Sequence, residues 1–506
     1  MSSLVGVDAD LHADDAQRLA EERKLVRKVD WLLLPILMIT LGLQYYDKAV
    51  LGSAAVFGIL EDLDLIQTIN GKPDTTRYST VSAAFYYGYI VSVLPWALVF
   101  ARYPLAKTSA ICVFIWGVVC LLTVVCHNYP GFLVQRIFLG LTESAIPPAF
   151  VAITGLWYKP YELATRMGIW YSAYGLANMG SGLINFGLGH AKVAHPWKVM
   201  YYFGGACTIA WAFVIWFVLP DSPLEAGRFF NAREKEILAR RYYEMSSIRT
   251  KQPFRPYQFF EAMRDLRTWI YLIMGAAIYM SNASVTAFGA RIVKSWGFSS
   301  LQTIALLIPG GFATCLTIWF FCHFADRLPN SRTWMLPLSC IPVWVGGIVI
   351  WTAPSHPRIG PLLGYYLVAS FGAPYVLLLT LSSTNVAGST KKATTNGCVW
   401  IGYNVGNIAS SYSVIASEAP IKYRSAWITV IVSMAFTTLA SLVLRWMYVR
   451  ENKRRDALAE NKAGAETPGV VSGGEKEVLA GAEVEGDDDK ARDLTDWENK
   501  AFRYAL

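Results

Sequence analysis

The feature that most restricts this chain is a succession of long apolar runs. They fall at residues 31–59, 78–100, 108–126, 131–157, 165–189 and 199–219. After a polar block they resume at 268–293, 301–324, 333–353, 362–383, 394–415 and 426–449. About twenty residues of helix cross the hydrocarbon core of a bilayer, and each run comes near that length or exceeds it. Continuous apolar runs lack the alternation of a β-barrel, so helices are left as the way to satisfy the backbone in lipid. The expectation is an all-α membrane protein with twelve transmembrane helices in two sets of six. Composition agrees, since 54% of residues are hydrophobic and only 16% are charged, against about 25% charged in ordinary soluble domains.

The net charge of +8 does not point to nucleic acid. Lys and Arg recur beside the apolar runs, as juxtamembrane charges do. Even-numbered joints are the basic ones, with Arg102, Lys107, Lys159, Arg166, Arg327, Arg332, Lys391 and Lys392, which puts both termini on the cytoplasmic side. Residues 1–30 then form a cytoplasmic N-terminal tail, 31–220 one six-helix half and 221–267 a cytoplasmic loop. Residues 268–450 form the second half, and 451–506 a tail rich in Gly, Ala, Glu and Lys that is expected to stay mostly disordered, with the closing DLTDWENKAFRYAL suited to a short contact whose partner the sequence does not name. Inside the loop, FFNAREKEILARRYYEMS reads as an amphipathic helix along the inner surface. The first thirty residues are polar and the run from residue 31 is too long for a signal h-region, so it is expected to be an uncleaved anchor. Eight cysteines at irregular spacing, without a CxxC, indicate neither a disulfide framework nor a metal site; they read as small buried hydrophobes. Asn282-Ala283-Ser284 fits the glycosylation pattern but lies inside an apolar run, where the match is expected to be chance.

A charge inside a membrane helix costs about 2.5 kcal/mol or more at mid-bilayer, so the few present mark function. Asp47 and Lys48, in QYYDKAVLGSAAVFGI, are neighbours about 100° apart around a helix and so reach different partners. For Asp47 an ion pair to a neighbouring helix and a cavity role stand side by side; Lys48 is expected at a cavity. Arg136 and Glu143, in VQRIFLGLTESAIPPAF, are seven apart and share a face, about 10 Å apart along the axis, too far for a direct pair. A carboxylate taken out of water holds its proton more readily. The spacing therefore suits one cation and one titratable acid along a shared water-filled path, with packing charges paired to other helices as the plainer alternative. Gly140 between them permits close helix approach, and Pro147-Pro148 interrupt the helix beyond.

Amides add a polar face. Asn396, Trp400, Asn404 and Asn407 recur at three-to-four spacing on the eleventh run, Asn178 and Asn185 on the fifth, and Asn282 with Thr286 on the seventh. Interhelical hydrogen bonds account for a share of them, while Asn178, Asn404 and Trp400 are expected to face a solute. Tyr45, Tyr46, Tyr171, Tyr174, Trp400 and Tyr403 would suit a flat, ring-bearing anion. In the joint HFADRLPNSR, Asp326, Arg327 and Arg332 place one acid and two bases where they can latch helix ends in one conformation. The matching joint FARYPLAK keeps Arg102 and Lys107 without an acid, a mirrored placement that hints at a six-plus-six duplication.

YYDKAVLGSAAVFGI, RIFLGLTESAIPPAF, WYKPYELATRMGIWYSAYGLANMGSGLI, LPDSP and FADRLPNSR, in this order over residues 28–455, together resemble the major facilitator superfamily. Within it they are most similar to the fungal anion:cation symporter branch, the allantoate permease family. That resemblance implies the MFS fold, two pseudo-symmetric six-helix halves around a central site, with alternating access driven by a proton gradient and no cofactor. It further implies import of a small organic anion such as a carboxylate, ureide or vitamin-like acid, by a monomer in a fungal plasma membrane. Carried over by position, Lys48 and Arg136 fall on anion-binding positions, and Glu143 and Asp47 on proton-coupling ones. The first-half joint departs from the family in lacking its Asp, so only the second-half latch transfers. Export of a fungal secondary metabolite and a non-transporting nutrient receptor remain as alternatives. A membrane enzyme fits poorly, because the six histidines are scattered.

Overall fold

The computed structural model describes residues 2–69, 72–226, 228–248, 254–328, 330–354, 359–465 and 493–506. Among them, seven helices are long and apolar enough to cross a membrane: Leu105–Val125, Tyr129–Trp157, Pro196–Val218, Ser300–Ala325, Arg332–Thr352, Ile359–Thr384 and Arg424–Glu460. Leu266–Val285 with Gly289–Ser295, bent by 51°, makes an eighth. Four further helical stretches fill the remaining apolar runs: Ser2–Ala54, Thr76–Arg102, Pro160–Tyr171 continued by Ala173–Leu188, and Ser389–Ser411. With these four, the helical segments that occupy the twelve apolar runs are numbered as the first to twelfth spans in chain order. The weaker four carry polar residues such as Gln44, Asp47 and Lys48 in the first span, Asn178 and Asn185 in the fifth, and Asn404 and Asn407 in the eleventh.

The same packing pattern recurs in the two halves. The first span packs on the fifth as the seventh packs on the eleventh, and the third on the sixth as the ninth on the twelfth. Across the middle, the fifth span meets the eighth and the second meets the eleventh, a pair that exchanging the halves would interchange. Glycines set how close these helices come. A Cβ at Gly140 would lie 1.9 Å from the Phe85 carbonyl oxygen, and one at Gly88 2.1 Å from that of Ile137. The second and fourth spans therefore touch backbone to backbone. In the other half, Gly402 and Gly406 stand as close to the carbonyls of Leu272 and Ala276, at 2.1 and 2.2 Å.

Hydrogen bonds tie the halves together on the face opposite the termini. Tyr78 donates to the Ala287 carbonyl at 2.5 Å, Lys294 and Ser300 donate to the Val56 carbonyl at 3.2 and 3.1 Å, and Ser411 donates to Ser82 at 3.1 Å. The first span meets the bend of the seventh here, where a Cβ at Gly52 would lie 2.3 Å from the Thr286 carbonyl oxygen. A two-stranded ribbon, Gln67–Ile69 with Lys72–Asp74, packs beside Ala416–Ile421 on the same face.

The termini face is built from charge pairs. Asp221 of LPDSP accepts from the backbone N–H groups of Ala106 and Lys107 at 2.9 and 3.1 Å, capping the third span, and pairs with Lys107 at 3.6 Å. The acid that FARYPLAK lacks thus arrives from the end of the sixth span. The loop helix Ala232–Ile248 buries Ile237 and Leu238. Its Arg241 binds Glu22 on the extension of the first helix and Glu162 at 2.5 Å. Lys159 pairs with Glu22 at 2.9 Å. Burial pushes the Glu22 carboxyl up, but its bonds to Lys159 and Arg241 outweigh that and hold it below the usual range. The tail departs from expectation. The twelfth span continues as helix to Ala465, as its Glu, Lys, Arg and Ala content allows, with Arg455 bonded to Glu451 one turn back. Residues 493–506 pack against the second half, with Thr495, Asp496 and Tyr504 buried. The disorder expected from residue 451 does not hold for the helix to Ala465, the closing segment makes the contact its sequence suited, and 466–492 lie outside the described residues.

The glycine contacts yield a stability prediction. Gly140→Leu forces the second and fourth spans apart and should cost about 1–3 kcal/mol, lowering the melting temperature of the detergent-solubilised protein by several degrees. Gly168→Leu, at a glycine with open space around it, should leave that melting temperature within a degree or so. Equal melts for the two variants would contradict the backbone contact.

Candidate functional site

Between the halves lies a cavity of about 100 Å³, room for several waters. Its wall is aromatic: Tyr45 from the first span, Tyr89 from the second, Tyr171 and Tyr174 from the fifth, Tyr279 from the seventh, Tyr375 from the tenth, and Trp400 and Tyr403 from the eleventh. Tyr279 and Tyr403 meet edge to face at 4.2 Å between ring centres, and Tyr403 also meets Trp400 at 5.4 Å. Asn178, Asn282 and Thr286 supply polar atoms. Lys48 is the one Asp, Glu, Lys or Arg side chain among the lining residues.

Lys48 reaches the wall from the first span, and its ammonium lies 2.7 Å from Oε2 of Glu143 on the fourth span. The Phe85 ring covers it at 5.1 Å, held there by the close approach at Gly140. Glu143 is fully buried, and its Oε1 has no hydrogen-bond partner among the described residues. Gln44 fixes the local backbone by donating to the Glu143 carbonyl at 3.1 Å, and Tyr174, on the cavity wall, donates to Gln44 at 3.2 Å. A cavity cation is thus joined to a carboxylate one layer behind it.

The other expected residues separate into those on the wall and those away from it. Lys48, Asn178 and Trp400 line the cavity. Asp47 points the other way, into the first half, where it accepts from Trp116 Nε1 at 2.6 Å and Cys120 Sγ at 3.4 Å. Neighbouring positions on one helix diverge, as their 100° offset requires. Arg136 is not among the lining residues. It is buried, lies 5.3 Å from the Phe132 ring centre, and its Nε has no hydrogen-bond partner among the described residues. Asn404 turns back onto its own helix, donating to the Trp400 carbonyl at 2.9 Å, and does not reach the cavity wall.

Asn185 holds the first and fifth spans together through Tyr46 at 2.8 Å and Ser53 at 2.9 Å, which also takes Tyr46 away from the cavity. Asn282 was legible as a polar residue but not as a junction. It lines the cavity while donating to Asn407 at 2.5 Å and to Tyr86 of the other half at 3.2 Å. For the expected latch, Arg327 is exposed, the Arg332 backbone N–H donates to the Leu506 carbonyl at 3.1 Å, and the Asp326 side chain lies outside the described ones. A denser cluster stands nearby: fully buried Lys391 pairs with Glu261 at 2.8 Å, Asp265 at 3.3 Å and Asp496 at 2.7 Å. No group of His, Cys, Asp and Glu able to hold a metal ion occurs among the described residues.

Comparison with known proteins gives a consistent picture. The family model described as Major Facilitator Superfamily matches residues 37–411. The transporter C460.05 of Schizosaccharomyces pombe is 31% identical over 491 residues, covering 96% of this chain and 86% of that protein. The allantoate permease of Saccharomyces cerevisiae is 29% identical over 518 residues, covering 97% and 90%. Among solved structures, the partially occluded inward open form of the xylose transporter XylE from E. coli superposes with a TM-score of 0.61 at 12% identity. It covers 83% of this chain and 99% of that one.

Substitutions at Asp47 separate packing from the proton-coupling role expected of it from sequence. As a packing acceptor for Trp116 it tolerates Asp47→Asn, which keeps a carbonyl oxygen, and that variant should retain ligand binding and fold. Asp47→Leu removes the acceptor from a buried indole N–H and should cost about 1–3 kcal/mol. Loss of proton-driven accumulation in Asp47→Asn, with stability intact, would instead assign it to coupling.

Proposed function

Because the chain belongs to the major facilitator superfamily, we propose that this transporter is a proton-coupled symporter importing a small organic anion across a fungal plasma membrane. The observation that carries the reading is the contact of Lys48 with Glu143 at 2.7 Å, the cavity's cation held by a buried acid. An anion arriving at Lys48 while Glu143 is charged meets the repulsion of that carboxylate at short range. Once Glu143 takes up a proton, Lys48 is released and the anion replaces the carboxylate. Anion and proton then bind cooperatively, each raising the affinity for the other by the same factor. They also enter as a neutral pair, which removes most of the cost of carrying a bare charge past hydrocarbon.

Alternation follows from the same geometry. The face opposite the termini is shut by Tyr78, Lys294, Ser300 and Ser411, so with both termini cytoplasmic this is a conformation closed to the outside. Loading from outside requires those bonds to open and the termini-face ends of the two halves to approach. Asn282, bonded to both Tyr86 and Asn407 at the cavity wall, joins solute contact to that closure. The rings of Tyr279, Tyr403 and Trp400 offer faces and edges to a planar solute, while Lys48 takes its carboxylate. The proton gradient supplies the drive without a cofactor, and the cavity is complete within one chain.

A thermal-shift screen of small carboxylates identifies a ligand by the stabilisation it confers, with aromatic acids expected to outrank aliphatic ones of equal charge. In proteoliposomes, uptake of that ligand should follow an inward proton gradient. Glu143→Gln should keep ligand exchange at zero gradient but lose concentrative uptake, and Lys48→Ala should weaken binding by about ten-fold or more. If Glu143→Gln still concentrates the ligand as the native protein does, the coupling role is misassigned.

A further inference from the structure

The closing segment, residues 493–506, sits in a groove that reads it in detail. Asn452 pairs with both the N–H and the carbonyl of Tyr504, at 2.9 and 2.8 Å, and Asn385 does the same for Ala505, at 2.7 and 3.0 Å. Each asparagine matches the donor and acceptor of one backbone unit, as a neighbouring strand would. The Tyr504 ring stacks on Tyr448 at 4.9 Å between centres, beneath Arg267 at 4.7 Å and Arg455 at 4.9 Å. Asp496, 1% exposed, completes the site through Lys391 at 2.7 Å and Arg267 at 3.0 Å.

The three cations that hold Asp496 and Tyr504 each have a second partner on the body of the protein. Lys391 pairs with Glu261 at 2.8 Å, Arg267 with Asp265 at 2.7 Å, and Arg455 with Glu451 at 3.0 Å. Asp265, mostly buried, is held below the usual carboxylate range, because its bonds to Arg267 and the nearby Lys391 outweigh the effect of burial. Withdrawing Asp496 therefore leaves two acids facing two cations at the groove floor, not a stranded buried charge. A buried ion that loses its only partner is strongly destabilising, and this groove avoids that outcome. The segment is joined to the helix ending at Ala465 through residues 466–492, a connection long enough to let it leave and return while staying at high local concentration.

We propose that residues 493–506 are a detachable strap, a ligand of the groove supplied by the same chain, whose docking favours the conformation closed opposite the termini. The strap touches the ends of the spans that close the far face. Arg267 begins the seventh span, which carries Asn282 and Lys294, and Ser389 and Lys391 begin the eleventh, which carries Ser411. Ser389 donates from its backbone N–H and its hydroxyl to Asp493, both at 2.7 Å. Holding these two ends together holds the arrangement their other ends make with the first half. The effect on closure rests on the alternating-access reading above, whereas detachment does not.

The test uses the full chain in nanodiscs, with the eight native cysteines replaced. A spin label at Lys500→Cys reports tail mobility, and a second pair at Val193→Cys and Ile359→Cys reports separation across the far face. Asp496→Lys combined with Tyr504→Ala should mobilise the tail label and raise the ratio of long to short far-face distances about three-fold or more. Synthetic peptide 493–506 added to that variant should bind the vacated groove and reverse the shift, and a peptide carrying Asp496→Lys should bind about ten-fold or more weakly. In the unmutated chain, the Tyr504 and Ala505 amides should exchange with deuterium well before those of the third span.

A tail label that stays immobile, amides that exchange only with the spans, or a peptide that does not bind would overturn detachment. Mobilisation with an unchanged far-face distance would overturn the regulatory role, provided Gly52→Trp lengthens that distance. If Gly52→Trp does not lengthen it, the alternating-access reading fails and takes the regulatory role with it.

Discussion

A lysine ammonium and a glutamate carboxylate 2.7 Å apart inside a helix bundle set the terms for everything around them. Neither charge is tolerable there alone, since hydrocarbon offers no solvation and each would cost several kcal/mol unpaired. Their pairing fixes the rotation of the first and fourth spans, because Lys48 and Glu143 must face one another. Asp47 is then turned toward Trp116 and Cys120, and Gln44, one turn before Lys48, meets the Glu143 carbonyl. The cavity wall inherits one cation whose partner sits behind it, so any anion that reached Lys48 would compete with the protein's own acid.

Close packing makes that pairing possible. Gly88 and Gly140 let the second and fourth spans touch at backbone distance, which carries Phe85 over the Lys48 ammonium. Gly402 and Gly406 do the same for the seventh and eleventh spans, bringing Asn282 and Asn407 within 2.5 Å. Without side chains at these four positions, dispersion and interhelical hydrogen bonds replace the hydrophobic drive that lipid does not supply.

The membrane-spanning architecture was plain in the sequence because hydrocarbon demands long apolar helices and nothing else on the chain imitates them. Where the rare charges lay was equally plain, but not where they pointed. Arg136 and Glu143 share a face by spacing, yet only Glu143 reaches Lys48, because helix crossing decides which turn of a face meets which neighbour. Asn404 and Asn407 are one turn apart; one folds back on its own helix and the other crosses to Asn282. The aromatic wall was only partly visible, since Tyr89, Tyr279 and Tyr375 are indistinguishable by pattern among 27 tyrosines. The closing DLTDWENKAFRYAL was legible as a segment able to make a short contact, but what it meets was not. Its composition is polar, and its order comes from a groove that joins Tyr448, Asn452 and Arg455 of the twelfth helix to residues more than a hundred positions away, such as Asn385 and Lys391.

Asp221 has a consequence for how the chain is made. The N-terminus of the third span is capped by a carboxylate from the end of the sixth, and the intervening residues hold three more crossings. During synthesis the first half therefore emerges with that cap missing, and its backbone donors wait at the membrane surface until the sixth helix has been inserted. The first half thus closes on itself as one unit of insertion, completed when LPDSP leaves the ribosome and before the loop helix can settle on it. A ribosome pausing within that loop would give the first half time to shut before the second begins to enter.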